Sequence, residues 1–268
     1  MASPLIFRLT AQNDKFKGTS TEDRIFGEAG DDTIYGFDGD DHIYGGDDND
    51  TLYGGIGSDI LAGGSGNDQL FGGDNDDRLS GNSGHNEMYG EAGNDTIVSG
   101  ADADLIHGGI GNDTVDYISS VRGVSIDLTT GKANGGAATG DVLVSIENIR
   151  GSNHDDDLIG DGLANIILGA AGEDTINGGA GDDIIDGGSD TDVLTGGAGS
   201  DTFVLSRFDH DIITDFEVGV DTLQVRANAV LKFQENARGT EVYDNGRLVA
   251  LLENVDESDL GISDFDFV

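Results

Sequence analysis

The sequence predicts an all-β repeat protein, on three observations. From Gly18 the chain divides every nine residues without a gap to Asp116, and again from Gly151 to Val204. That makes 17 nonapeptides over 153 of the 268 residues. The eighth position is apolar in all 17, from Ile25 and Ile34 through Met88 to Leu194 and Phe203. Gly occurs 45 times and recurs at positions one, two and four. Each Gly inside a helix costs about 1 kcal/mol against Ala, so a helical repeat is excluded. Each unit instead offers a six-residue turn of Gly and Asp and a three-residue strand. Only the middle residue of that strand points inward, because strand side chains alternate between faces.

Charge narrows the function. Fifty-three acidic residues against 13 basic ones leave a net charge of -40. Nucleic acid as a partner is excluded by the missing basic footprint, and an anionic membrane surface is disfavoured for the same reason. With no Cys there is no disulfide framework, thiolate metal site or cysteine nucleophile. No apolar run approaches the roughly 20 residues of a transmembrane segment. Low hydrophobicity with such charge would keep a bare chain disordered, so something must neutralise it. Multivalent cations are the obvious candidate.

Taken in order, residues 1–17 have no basic leader, and Leu5, Ile6, Phe7 and Leu9 are expected to cap the first coil. The first array, 18–116, places Asp23, Asp32, Asp41, Asp50, Asp59, Asp68, Asp77, Asp95, Asp104 and Asp113 at position six. The second, 151–204, places Asp156, Asp174, Asp183, Asp192 and Asp201 there. Asn86 and Asn165 hold the other two sixth positions. This nonapeptide, G-G-x-G-x-D-x-U-x with U apolar, resembles the RTX (repeat-in-toxin) calcium-binding β-roll, also called the hemolysin-type repeat.

The resemblance implies a right-handed parallel β-roll in which two units make one coil and Ca²⁺ sits between stacked turns. Spacing is compatible: parallel strands lie about 4.8 Å apart and calcium–oxygen bonds are about 2.3–2.6 Å. The family's ligand pattern pairs carbonyls two and four and the Asp of one turn with carbonyls one and three and the Asp of the turn 18 residues on. It implies one site from Gly55, Gly57 and Asp59 with Gly72, Asp74 and Asp77. Another comes from Gly179, Gly181 and Asp183 with Gly196, Ala198 and Asp201. Thirteen such pairs exist, three of them with an Asn, so about ten oxygen-only octahedral Ca²⁺ sites are expected. The second column is expected to be the weaker one near residues 81–107. Position nine, facing outward, reads Tyr35, Tyr53, Phe71, Tyr89 and His107 along one face. Stiffening by stacking is the expected role, against a platform for sugars or a partner protein.

Residues 117–150 break the period, with strands expected at 123–128 and 141–149 around a loop at 131–140. The segment resembles the insert of RTX proteins and reads as an enlarged coil, too small for an enzyme. Residues 205–268 turn apolar, at Phe208, Ile212, Ile213, Phe216, Leu223, Val225, Leu231, Phe233, Leu248, Val249, Leu251 and Leu252. They are expected to form the C-terminal β cap that an open β-helix end requires. The end, Asp264 to Val268, resembles the acidic-then-apolar terminus of type I secretion substrates, and is expected to be an export address separable from the fold.

No catalytic residue is expected: H-E-x-x-H and G-x-S-x-G are absent, and the five His are scattered. The leading expectation is a secreted, extracellular, non-enzymatic calcium protein that folds outside the cell and acts in surface or matrix adhesion. The other is an accessory or C-terminal module of a larger secreted enzyme of the alginate epimerase, protease or lipase type. Implied partners are calcium, the type I secretion apparatus, and an extracellular polysaccharide or surface protein.

Overall fold

The computed structural model describes residues 4–206 and 210–268; Phe208 lies outside them. The chain divides into two compact units: Met1–Tyr117 with Gly131–Ile146, and Ile118–Thr130 with Glu147–Val268. Both are parallel β-solenoids, consistent with the right-handed β-roll, and the described helical residues are three single 3₁₀ turns. Among the described residues no helix is long and apolar enough to cross a membrane.

In the first unit, one sheet runs from Leu5–Arg8 and Asp23–Ala29 through His42–Asp47, Ile60–Ser65, Arg78–Ser83 and Thr96–Val98 to Thr114–Asp116. The facing sheet runs from Lys15–Lys17 through Thr33–Asp38, Thr51–Ile56, Gln69–Asp74, Glu87–Ala92 and Leu105–Ile110 to Val142–Val144, with Lys132–Asn134 antiparallel at its end. Neighbours in a sheet are two repeats apart: Thr33 pairs with Thr51, Ile34 with Leu52 and Tyr35 with Tyr53. One coil is therefore 18 residues, as the resemblance implied. Ile25, Ile34, Ile43, Leu52, Leu61, Leu70, Leu79, Met88, Ile97, Ile106 and Val115 are all fully buried. The core is this double file of eighth-position side chains.

The strands are longer than sequence suggests, six residues rather than three in most repeats. Pairing passes from Tyr53 with Phe71 to Gly55 with Gly73, so the ladder turns the corner into the next repeat. Gly55 makes this possible. Its φ is +124°, and a Cβ there would lie 2.0 Å from the Phe37 carbonyl oxygen. Only Gly tolerates both the angle and the approach.

In the second unit, Asn148–Arg150, Ile166–Ala171, Ile184–Ser189, Thr202–Val204, Thr222–Val225 and Phe265–Phe267 form one parallel sheet. Ser125–Asp127, Asp157–Ile159, Thr175–Ala180, Val193–Ala198, Asp211–Ile213 and Arg247–Glu253 form the other. Gly239–Asp244 and Leu231–Glu235 then add antiparallel strands to its end. Phe216, Leu223, Val225, Val249 and Leu252 are buried in this unit.

Asp264 to Val268, expected to be an export address separable from the fold, is packed into the second unit. Asp264 is 1% exposed; its Oδ1 accepts from the Gly219 N–H at 3.0 Å and its Oδ2 from the Gly261 N–H at 2.6 Å. Phe265 pairs with Leu223 and packs its ring 5.4 Å from that of Phe233. The alternation of Asp and Phe, read as an address, is also the period-two pattern of a strand. Removing 264–268 is expected to destabilise the calcium-loaded protein by about 1.5–3 kcal/mol for the Phe265 side chain alone. Calorimetry should show a melting midpoint several degrees lower; an unchanged midpoint would set the terminus outside the folded unit.

Candidate metal sites

The sixth-position Asp residues hang on the backbone ladder. Beyond the first member of a column, each carboxylate receives on Oδ1 the N–H of the residue stacked one coil earlier. In the first column of the first unit, Asp23 donates to Asp41 at 2.7 Å, Asp41 to Asp59 at 2.7 Å, Asp59 to Asp77 at 2.7 Å and Asp77 to Asp95 at 2.8 Å. Asp95 continues to Asp113 at 2.8 Å. The second column runs Asp14, Asp32, Asp50, Asp68, Asn86, Asp104, Asp141 by the same bond. In the second unit, the N–H groups of Val124, Asp156, Asp174 and Asp192 bond Asp156, Asp174, Asp192 and Asp211 in turn. Those of Asn165, Asp183 and Asp201 bond Asp183, Asp201 and Asp221.

That bond uses one carboxylate oxygen. The other, Oδ2, is buried without a hydrogen-bond partner in Asp32, Asp41, Asp50, Asp59, Asp68, Asp77, Asp95, Asp174, Asp183 and Asp201. A buried anionic oxygen left unsatisfied is strongly destabilising, and native interiors rarely contain one. The surroundings show what would satisfy it. A Cβ added at Gly54 would lie 2.3 Å from Asp59 Oδ2 and 2.5 Å from the Gly72 carbonyl oxygen. One added at Gly178 would lie 2.3 Å from Asp183 Oδ2 and 2.7 Å from the Gly196 carbonyl oxygen. Asp59 with Gly72, and Asp183 with Gly196, thus lie on either side of the same small space. Within the same two sets, the Asp74 carbonyl accepts from the Gly57 N–H at 3.1 Å and the Ala198 carbonyl from the Gly181 N–H at 2.8 Å. Gly55 and Gly179 pair with Gly73 and Gly197.

The donor set is anionic, hard and entirely oxygen, which suits Ca²⁺. Among the described residues no three His, Cys, Asp or Glu side chains converge, so a cation here would draw on backbone carbonyls as well as carboxylates.

Other sixth positions are satisfied from within. Asp23 Oδ2 accepts from the Thr19 N–H, and Asp156 Oδ2 from the Ser152 N–H, both at 2.6 Å. Asp104 Oδ2 accepts from the Gly100 N–H at 3.2 Å. Asn86 donates its amide to the Gly84 carbonyl at 3.0 Å, and Asn165 donates to the Glu147 carbonyl at 2.7 Å.

Two features escaped the sequence reading. Asp141, Asp211 and Asp221 extend the columns beyond the arrays; each stands two before an apolar Leu143, Ile213 or Leu223, the Asp-x-apolar signature of a repeat. Position five carries a second ladder of opposite sense. There the earlier side chain accepts from the later N–H: Asp31 from Asn49, Asn49 from Asn67, Asn67 from His85, and Asp40 from Ser58. Turns are thus tied in both directions.

The aromatic file stacks as expected, with Tyr35–Tyr53, Tyr53–Phe71 and Phe71–Tyr89 centroids 4.7, 4.9 and 5.1 Å apart and planes within 8°. Ring faces therefore meet one another and solvent meets ring edges, which favours stiffening over a sugar platform.

Residues 17–52, 53–88, 80–115 and 168–203 match the RTX calcium-binding nonapeptide repeat, half of the chain in all. None of the curated proteins compared with the chain matches it. Among solved structures, the AlgE6R3 subunit from the Azotobacter vinelandii mannuronan C5-epimerase is 28% identical, covering 44% of this chain and 81% of its own, with a TM-score of 0.34. Extracellular lipase LipA from Serratia marcescens is 17% identical, covering 80% of this chain and 45% of its own, with a TM-score of 0.35.

Burial is the main cause of raised carboxyl pKa values along the columns. It holds Asp41, Asp50 and Asp174 at about 7, Asp59 and Asp68 at about 6, and Asp77 at about 8. The ordinary value is 3.8, so the metal-free fold is favoured where these groups are protonated and loses stability as pH rises through about 6–8. A cation that takes them ionised reverses the slope. In chelator, circular dichroism should show β structure increasing from pH 8 to pH 4. The calcium midpoint should rise as pH falls below about 6. A midpoint independent of pH would contradict this assignment.

Proposed function

The chain belongs to the family of RTX calcium-binding nonapeptide-repeat proteins, and from that premise we propose that it is an extracellular module whose folding is driven by calcium. The observation that carries this reading is the row of buried Oδ2 atoms without a partner. Each supplies half of a pair whose other member must be a cation. Between two stacked turns the ion would be held by the sixth-position Asp of both and by Gly carbonyls such as those of Gly72 and Gly196. The bound ion supplies the positive charge that lets carboxylates stack every 18 residues; about ten such ions would offset half of the net charge of -40.

Extracellular calcium modules bind at about 10⁻⁴–10⁻³ M, far above cytosolic calcium. The chain would stay expanded inside the cell, pass through a type I secretion apparatus, and fold where calcium is abundant. The proposed role is non-catalytic, since the periodic carboxylates are buried within the turns, away from any substrate in solution. Outward residues of the sheets are then the surface offered to an extracellular polysaccharide or surface protein.

Circular dichroism should change from coil to β as calcium is added and revert with EGTA; a full β spectrum in excess EGTA at neutral pH would refute the reading. Position should grade the effect of mutation. Asp59 stands between Asp41 and Asp77, so Asp59→Ala should lose about two ions by titration calorimetry. Asp23, at the column's start with both oxygens engaged by Thr19, should lose at most one on Asp23→Ala. Equal losses would contradict the stacked arrangement.

A further inference from the structure

The second column of the first unit ends differently from its interior. Asp59 illustrates the interior: one donor on Oδ1 and none on Oδ2. Asp141 has three donors. The Asp104 N–H reaches Oδ1 at 2.9 Å, and the hydroxyls of Ser99 and Tyr117 reach Oδ2 at 2.7 and 2.8 Å. Asp104 is equally supplied: the Asn86 N–H and amide reach Oδ1 at 2.8 and 3.1 Å, and the Gly100 N–H reaches Oδ2 at 3.2 Å. Tyr117 is among the largest fully buried side chains of the protein, and Ser99, Asp104 and Asp141 are each at most 3% exposed. Every carboxylate oxygen in this string is met by a proton donor of the protein itself.

We propose that Asn86, Asp104 and Asp141, closed by Ser99, Gly100 and Tyr117, form a calcium-independent lock at the end of this column. The inference rests on the calcium reading of the interior turns. Where those turns leave Oδ2 to a cation, the lock fills the same place with hydroxyl and amide hydrogens. An oxygen already holding charge-assisted hydrogen bonds has no deficit for an ion to relieve. Asn165 repeats the device in the second unit, its amide reaching the Glu147 carbonyl at 2.7 Å and Asp161 Oδ1 at 3.3 Å. Its consequence is an order of assembly. The locked turns keep their geometry without calcium and present a formed coil on which the ion-dependent turns stack, which removes the costliest step of a one-dimensional repeat. The lock also ties together segments distant in sequence, since Ser99 and Tyr117 reach 42 and 24 residues along the chain to Asp141.

Residue-resolved amide exchange on the full chain tests this. In EGTA, the N–H groups of Gly100, Asp104 and Val142 should exchange at least about tenfold more slowly than those of Asp41, Asp50 and Asp59. Equal exchange in the two sets would overturn the lock. Tyr117→Phe and Ser99→Ala each remove a hydroxyl while nearly keeping shape. Either should cut the residual protection of the Asp104 N–H by about tenfold and raise the calcium needed for folding, with bound calcium per chain unchanged. A drop in bound calcium would make the cluster an ion site and overturn the proposal. Failure of the calcium reading would appear separately, as a wild-type chain whose spectrum ignores calcium while the exchange contrast in EGTA persists.

Discussion

Stacking carboxylates every 18 residues along a thin solenoid is the constraint on which the rest depends. The coil has room for one inward apolar side chain per strand, so each layer of core is only two side chains, such as Ile43 and Leu52. Such a core leaves little apolar burial to set against the repulsion of its own turns. The turns solve half of the problem with protein hydrogens, through Asp Oδ1 and the N–H one coil earlier. The other half, Oδ2, is left to something positive. Burial that drives these groups to bind protons would, under the proposed calcium reading, make them strong cation ligands once ionised.

The same geometry explains why Gly and Asp dominate the turns. A Cβ at the first Gly of a repeat would occupy the space between Asp Oδ2 and the next coil's carbonyl, as at Gly54. A longer acid at position six would overshoot the N–H that Asp reaches at 2.7–2.8 Å. Side-chain ladders at positions five and six run in opposite senses, so a coil is held to its neighbours on both sides even before any ion is considered.

Much of this was legible in the sequence because it is local and periodic. The apolar eighth position gives the core, the 18-residue pairing follows from two faces per coil, and the sixth-position columns fall on the residues that spacing names. What was not legible depends on distant partners. Asp104 reads like every other sixth position, and its donors Gly100, Ser99 and Asn86 are seen only in the fold, while Asp141 lies in the aperiodic insert. Position five reads as generic Asn and Asp because its bonds join residues 18 apart. The terminal Asp264 to Val268 carries alternation that serves a strand as well as an export signal, and only its pairing with Leu223 and Val225 shows the strand.

The most direct measurement is the anomalous difference density of crystals grown in calcium. The account predicts peaks beside Oδ2 of Asp41, Asp50, Asp59, Asp68, Asp77 and Asp183, each also within bonding distance of a turn carbonyl, and no peak at Asp141. Calcium absent from the Asp59–Gly72 and Asp183–Gly196 turns in a folded protein would contradict it.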